Sequence, residues 1–218
     1  VLDIAFLNKS EFACSTSVVS HDSAGRTIMV WDFNSGAIMS NQIFLERYTC
    51  PSLKLNSSDC SFIAQTNGDY IVSFSSHRPY KMKNKRYMGH KVSGFGIECD
   101  ISPDGQYIAS GDTKGDVYFY NYADATVVNK MTVKPDVATN RLKWHPILSS
   151  TLAVATYDGQ IHVWKVFLVV VGQHSKEANM QSGSMVREGH KDKPGLSDRI
   201  ETLEGHGALE RENPGGSD

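Results

Sequence analysis

An all-β fold of about four small antiparallel sheets, stacked like the blades of a propeller, is predicted by three observations. Short β-branched and aromatic runs recur along the chain, each bounded by Gly, Asn, Asp or Ser. They fall into four registers: RTIMVWDF at 26–33, GDYIVSFS at 68–75, GDVYFYNY at 115–122 and GQIHVWKV at 159–166. Their aromatic anchors Trp31, Phe74, Tyr120 and Trp164 stand 43, 46 and 44 residues apart, matching the roughly 40 to 45 residues of a four-stranded blade.

Each anchor strand is preceded by two earlier strand signals. In order they are IAFL with SVVS, SLKL with FIAQT, IECDIS with YIASGD, and RLKWHP with LAVATYD. The third unit joins its first two strands through SPDGQY at 102–107, where Pro presets φ and Asp-Gly supplies a tight turn. Asp22, Asp112 and Asp158 fall in the turns before anchor strands. A carboxylate there can accept backbone N–H bonds, and nothing pairs these acids with a nucleophile. Blade boundaries are expected near 1–47, 48–88, 89–131 and 132–166, with VFLVVV at 166–171 as an outer strand for the last sheet. The remaining 167–218 is polar and aperiodic, with 6 basic and 9 acidic residues. It reads as a disordered or alternative tail, and its pairs Gly189-His190 and Gly205-His206 precede no turn and anchor strand.

Composition bounds the function. The chain of 218 residues is 40% hydrophobic, enough to fill a core. Its 22 basic and 24 acidic residues leave a net charge of −2, so no global field draws it to nucleic acid or an anionic membrane. The longest apolar run is far below the roughly 20 residues that cross a bilayer. Cys14, Cys50, Cys60 and Cys99 form no CxxC pair and read as reduced thiols of an intracellular protein. There is no initiator Met, and the start reads as a cut within a longer chain with further blades upstream, since a blade buries its faces only against neighbours.

These features resemble the WD-repeat β-propeller family over residues 1–166. Trp31-Asp32 ends one anchor strand, and Gly89-His90 lies 30 residues before Tyr120. In the family such a His joins a hydrogen-bonded network with a turn Asp, a Ser or Thr, and the anchor Trp. The resemblance therefore makes Trp31, Asp32, His90, Asp112, Tyr120, Asp158 and Trp164 structural repeat residues. The chain departs from the pattern, because the anchor after Gly89-His90 is Tyr120 and the unit ending at Trp164 lacks Gly-His, so the blades are degenerate. More narrowly, AQTNG at 64–68, the Arg78-Pro79-Tyr80 corner and GHKVSGF at 89–95 are similar to a branch of the family that includes a pre-mRNA splicing factor. The resemblance implies a non-enzymatic scaffold for protein partners in a nuclear, spliceosome-related assembly, without cofactor, membrane or small-molecule substrate. Other members serve as substrate receptors of cullin-type ubiquitin ligases. Those carry an Arg shortly after Trp-Asp, where this chain has Phe33 and Asn34.

One stretch stands out as a candidate contact. Residues 78–91 hold Arg78, Lys81, Lys83, Lys85, Arg86 and Lys91 without an acid, interleaved with Tyr80 and Tyr87. Such a stretch suits an RNA or acidic-protein contact, with cations on phosphates and rings stacked on bases. The competing reading is a solvated outer strand whose lysines deter edge pairing. His90 reads as structural and His145 as a turn residue at a strand end. His21, His77, His90, His145 and His162 show no HxxxH spacing, so no metal is expected. There is no GxSxG elbow or phosphate-cradling Gly loop, hence no enzymatic constellation. Trp31, Tyr118, Tyr120 and Trp164 are expected to pack between blades.

Overall fold

The computed structural model describes residues 1–17, 27–41, 43–148 and 150–165. Within them fifteen strands form four antiparallel sheets, and there is no helix. The first sheet runs β1 (Asp3–Phe6), β2 (Glu11–Ser15), β3 (Ile28–Asp32), β4 (Ile38–Ser40), and the second β5 (Ser52–Asn56), β6 (Ser61–Gln65), β7 (Tyr70–Ser75), β8 (Met82–Met88). The third runs β9 (Cys99–Ile101), β10 (Tyr107–Gly111), β11 (Asp116–Asn121), β12 (Val127–Thr132). The fourth has three described strands, β13 (Thr139–Trp144), β14 (Thr151–Thr156) and β15 (Ile161–Lys165). Asp22, residues 166–171 and the tail with its two Gly-His pairs lie outside the described residues.

One expectation is corrected. The second strand of the first sheet is Glu11–Ser15 rather than SVVS. The cause is local: Asn8 Oδ1 accepts from the backbone N–H groups of Ser10 and Glu11, both at 2.9 Å, so the chain reverses at once after β1. Residues 18–20 of SVVS are outside the described set. The SPDGQY turn forms as expected. Ser102 Oγ accepts from Tyr107 N at 2.9 Å, Asp104 Oδ1 accepts from Gln106 N at 3.1 Å, and Gly105 adopts φ +73°.

Strand alternation gives every sheet two unlike faces. The face toward the preceding sheet carries the anchor row. This row is Phe6, Phe12 and Trp31 in the first sheet, then Leu55, Phe62 and Phe74, then Ile101, Ile108 and Tyr120, then Trp144, Leu152 and Trp164. The face toward the following sheet carries the intervening residues: Ala5, Ala13 and Val30 in the first sheet, Ile63, Ser73 and the buried Tyr87 in the second, and Ala109 and Phe119 in the third. Anchor rows press on these opposite faces and form three buried clusters, one at each junction. The inner strands β1, β5, β9 and β13 lie side by side, so the sheets stack in chain order.

Candidate functional site

Between β8 and β9 the chain crosses from the second sheet to the third, and there both sheets grip it. Gly89 takes φ +120°, a conformation that L side chains rarely adopt, and it delivers His90 into the junction. His90 is fully buried. Its Nε2 lies 2.7 Å from Gln65 Nε2, and its Nδ1 lies 2.8 Å from the Tyr120 hydroxyl. An amide nitrogen can only donate, so Nε2 accepts and Nδ1 carries the hydrogen toward Tyr120. Gln65 Oε1 in turn accepts from Ser110 Oγ at 3.1 Å. Burial holds the imidazole pKa down to about 4, which keeps His90 neutral at pH 7.

The next two residues are held as tightly. Lys91 N donates to Asp112 Oδ2 at 2.7 Å, and Val92 N donates to Asp69 Oδ1 at 2.8 Å. Thr113 N returns a bond to Lys91 O at 2.9 Å. The clamp therefore draws Gln65 and Asp69 from the second sheet and Ser110, Asp112 and Tyr120 from the third. It fixes the take-off of the loop beyond Val92, in which the Phe95 ring meets Tyr157 edge-on at 5.3 Å. Both nitrogens of His90 are occupied and sealed from solvent, an arrangement suited to positioning rather than proton transfer.

The remaining repeat residues are placed separately. Asp32 accepts from the N–H and Oγ of Ser35, each at 2.7 Å, and so closes the turn into β4. These bonds lower its pKa. Asp158 accepts from Thr156 Oγ1 at 2.6 Å and pairs with Lys134, which holds its pKa near 2. Trp31 donates to Cys14 Sγ at 3.2 Å on a face that no described sheet covers. Trp164 is buried in the third junction, with no hydrogen-bond partner for its Nε1 among the described residues. Of the anchors, Tyr120 is the one drawn into the clamp. His145 Nδ1 accepts from Leu148 N at 2.9 Å, a turn role.

The basic stretch maps onto β8 and its flanks, the outer edge of the second sheet. Arg78 pairs with Glu11 at 3.0 Å, Lys83 with Asp59 at 3.2 Å, Arg86 with Glu46 at 2.5 Å and Lys91 with Asp69 at 2.9 Å. Lys85 donates to Tyr122 O at 3.2 Å, while Lys81 is exposed. Tyr80 and Tyr87 are buried, and Tyr87 donates to Tyr122 O at 2.9 Å. Neither ring can stack on a base, because the one-residue alternation of a strand turns Tyr87 inward while its neighbours face out. Any contact here would rest on the cations alone.

Sequence reasoning missed Gln65, Asp69 and Ser110, whose roles depend on a partner in another repeat. It also missed two inner-strand acids. Asp3 Oδ2 accepts from Leu53 N at 2.7 Å and pairs with Lys54 at 3.1 Å. Asp100 likewise accepts from Trp144 N at 2.9 Å and pairs with Lys143 at 3.0 Å. Cys14, Cys50 and Cys99 are buried free thiols and Cys60 an exposed one. Among the described residues there is no cluster of metal-ligating side chains, and no helix long and apolar enough to cross a membrane.

Stacked antiparallel sheets with adjacent inner strands and one anchor row each are the blades of a β-propeller. Comparison with known proteins specifies the kind. The chain is 42% identical over 165 residues to WD repeat-containing protein 25 of Mus musculus, covering 75% of this chain and 31% of that protein. It is 27% identical over 142 residues to Pre-mRNA-processing factor 17 of Saccharomyces cerevisiae, covering 65% and 31%. With the Denticleless protein homolog of Danio rerio it shares 22% over 187 residues, covering 80% and 28%. No protein-family model matches the chain. The chain spans about 31% of the length of the first two of these relatives. The WD-repeat resemblance is borne out, and the four sheets are blades of a WD-repeat β-propeller.

Proposed function

We propose that the chain is a non-enzymatic scaffold that presents rigidly held loops to protein partners in a nuclear pre-mRNA-processing assembly. The observation that carries this reading is the clamp. The side chains best suited to chemistry, His90, Asp69 and Asp112, are committed to fixing one inter-blade loop. That loop lies at the end of the sheets where the 66–69, 112–115 and 157–160 turns also emerge. There Tyr48 and Tyr157 are exposed and Phe95 is half-buried, and aromatic rings of this kind are favoured anchors at protein interfaces. The similarity to Pre-mRNA-processing factor 17 supports the setting, and the WD-repeat relatives support the scaffold role.

Affinity capture of the tagged chain from nuclear extract, with and without ribonuclease, tests the proposal. Splicing components should be recovered under both conditions, and Tyr157→Ala should reduce their recovery several-fold. Loss of recovery after ribonuclease, together with sensitivity to Lys83→Glu, Lys85→Glu and Arg86→Glu combined, would instead assign the contact to RNA at the outer edge of the second blade. Recovery of ubiquitin-ligase subunits in place of splicing components would overturn the proposal in favour of a receptor role.

A further inference from the structure

Two of the three blade junctions are joined at their inner strands by a carboxylate. At the first, Asp3 accepts from Leu53 N and pairs with Lys54; at the third, Asp100 accepts from Trp144 N and pairs with Lys143. The second junction is built differently. Lys54, Asp100 and Lys143 each stand one residue before an anchor-row residue, Leu55, Ile101 and Trp144. Lys54 thus holds on the second blade the register from which Asp100 reaches out of the third, and β5, Ser-Leu-Lys-Leu-Asn, has no acid of its own.

The donor that such an acid would meet is nonetheless in place. Ser102 N donates to Tyr107 O at 2.9 Å, so one residue earlier the alternation of an antiparallel pair turns the N–H of Ile101 away from β10, as it does at Trp144. On that side lies β5. A cavity of about 260 Å³ opens there, beside the 57–60 and 102–106 turns, at the end of the sheets opposite the clamp loop. Lys54, Ser57 and Ser58 of the second blade and Asp100 and Ile101 of the third line it, and Lys143 reaches in from the fourth. The rim is held rigidly. Asn56 Nδ2 donates to Gly105 O at 3.1 Å, and Asn56 Oδ1 accepts from Ser58 N at 3.0 Å. Gly105 is needed for that approach, because a Cβ on it would lie 2.6 Å from Ser58 Oγ. The lining is rich in donors: both ammonium groups and the backbone N–H can only donate. Among the described residues its one carboxylate is Asp100, whose two oxygens are already engaged by Lys143 and Trp144 N.

We propose that this cavity binds a carboxylate group from outside the chain, which plays at the second junction the part that Asp3 and Asp100 play at the other two. Its oxygens accept from Ile101 N and from the Lys54 ammonium, the same pairing of backbone N–H and lysine that the internal carboxylates use. A carboxylate suits the site better than a phosphate, because a single negative charge is repelled less by the neighbouring Asp100 than a double one. The group belongs either to a small free acid or to an acidic side chain of a partner.

Amide proton–nitrogen spectra of the full chain, recorded at pH 7 during titration, are the test. The probes are acetate, N-acetylglutamate blocked as its α-amide, inorganic phosphate, and chloride at matched ionic strength. Acetate and the blocked glutamate should shift the amides of Ile101, Ser57 and Ser58 saturably, and chloride should not. Tighter binding of the blocked glutamate assigns the group to a partner's side chain, and tighter binding of acetate to a free acid. Ser58→Glu, at an exposed turn position, sets a fixed carboxylate at the rim and should weaken binding by about tenfold or more. Lys54→Gln, which keeps a donor for Asp3, should do the same. Where Lys54→Gln also moves the amides of the first blade, Ser58→Glu decides. Shifts that never saturate or that spread over the exposed lysines, phosphate binding more tightly than either carboxylate, or an affinity unchanged by Ser58→Glu would overturn the proposal.

Discussion

At His90 a side chain that usually titrates near neutrality is fixed in its neutral form. Burial is the main cause, and it outweighs the nearby carboxylates of Asp112 and Asp69, which pull the other way. The unfolded imidazole, near its ordinary value of 6.5, binds a proton that the folded chain refuses down to about pH 4. Between those values the unfolded state holds more protons, so stability falls as pH falls. The contribution is at most about 1.4 kcal/mol per pH unit. It is complete above pH 6.5 and stops changing below about pH 4. His90→Gln should lower stability by about 1 to 3 kcal/mol at neutral pH through unsatisfied clamp partners, and should flatten the slope between pH 6.5 and 5. Urea midpoints at several pH values check this, and equal slopes for the two chains would show that His90 does not carry the effect.

At the scale of the element, close approach decides what each strand tolerates. Gly111 ends β10 against the first residue of β13, and a Cβ built there would lie 1.9 Å from Thr139 O. That oxygen is backbone held in place by Thr139 N donating to Asp112 O at 2.9 Å, so it cannot swing away. Gly111→Ala should therefore cost about 3 kcal/mol or more, at the upper end of overpacking effects. An unchanged urea midpoint would contradict the packing. The anchor strands were readable in the sequence because alternation and turn residues are local signals, and Trp31, Phe74, Tyr120 and Trp164 all stand where spacing put them. SVVS misled because its β-branched residues outweighed the quieter Asn8 turn that sets β2 earlier. His90 and Asp112 were readable from motif, whereas Gln65 and Asp69 were not. Their partners lie 25 and 23 residues away in the next blade, a distance over which no sequence period acts. Tyr87 read as a stacking ring because the bulge and inward turn of β8 are properties of its pairing with β7, not of the basic run itself.

Across the whole molecule the blades form a chain of nearest neighbours, in which each junction has its own strength. The third junction combines the Asp100 link with the buried cluster around Phe119, Trp144 and Trp164. Asp100 is buried, and its carboxylate satisfies both Trp144 N and Lys143. Asp100→Ala leaves the Trp144 N–H without an acceptor, a loss of about 1 to 3 kcal/mol. In a single cooperative core that loss would be felt everywhere. In a stack it falls on the blade that Asp100 ties down, because the first and second blades keep their own link at Asp3 and their own cluster. Amide exchange on the Asp100→Ala chain should accordingly quicken in β13 to β15 by about tenfold or more while β5 to β7 keep their protection. Equal acceleration in all four sheets would show that the blades unfold as one body, and the fourth blade would then owe its place to the global fold rather than to a single inner-strand carboxylate.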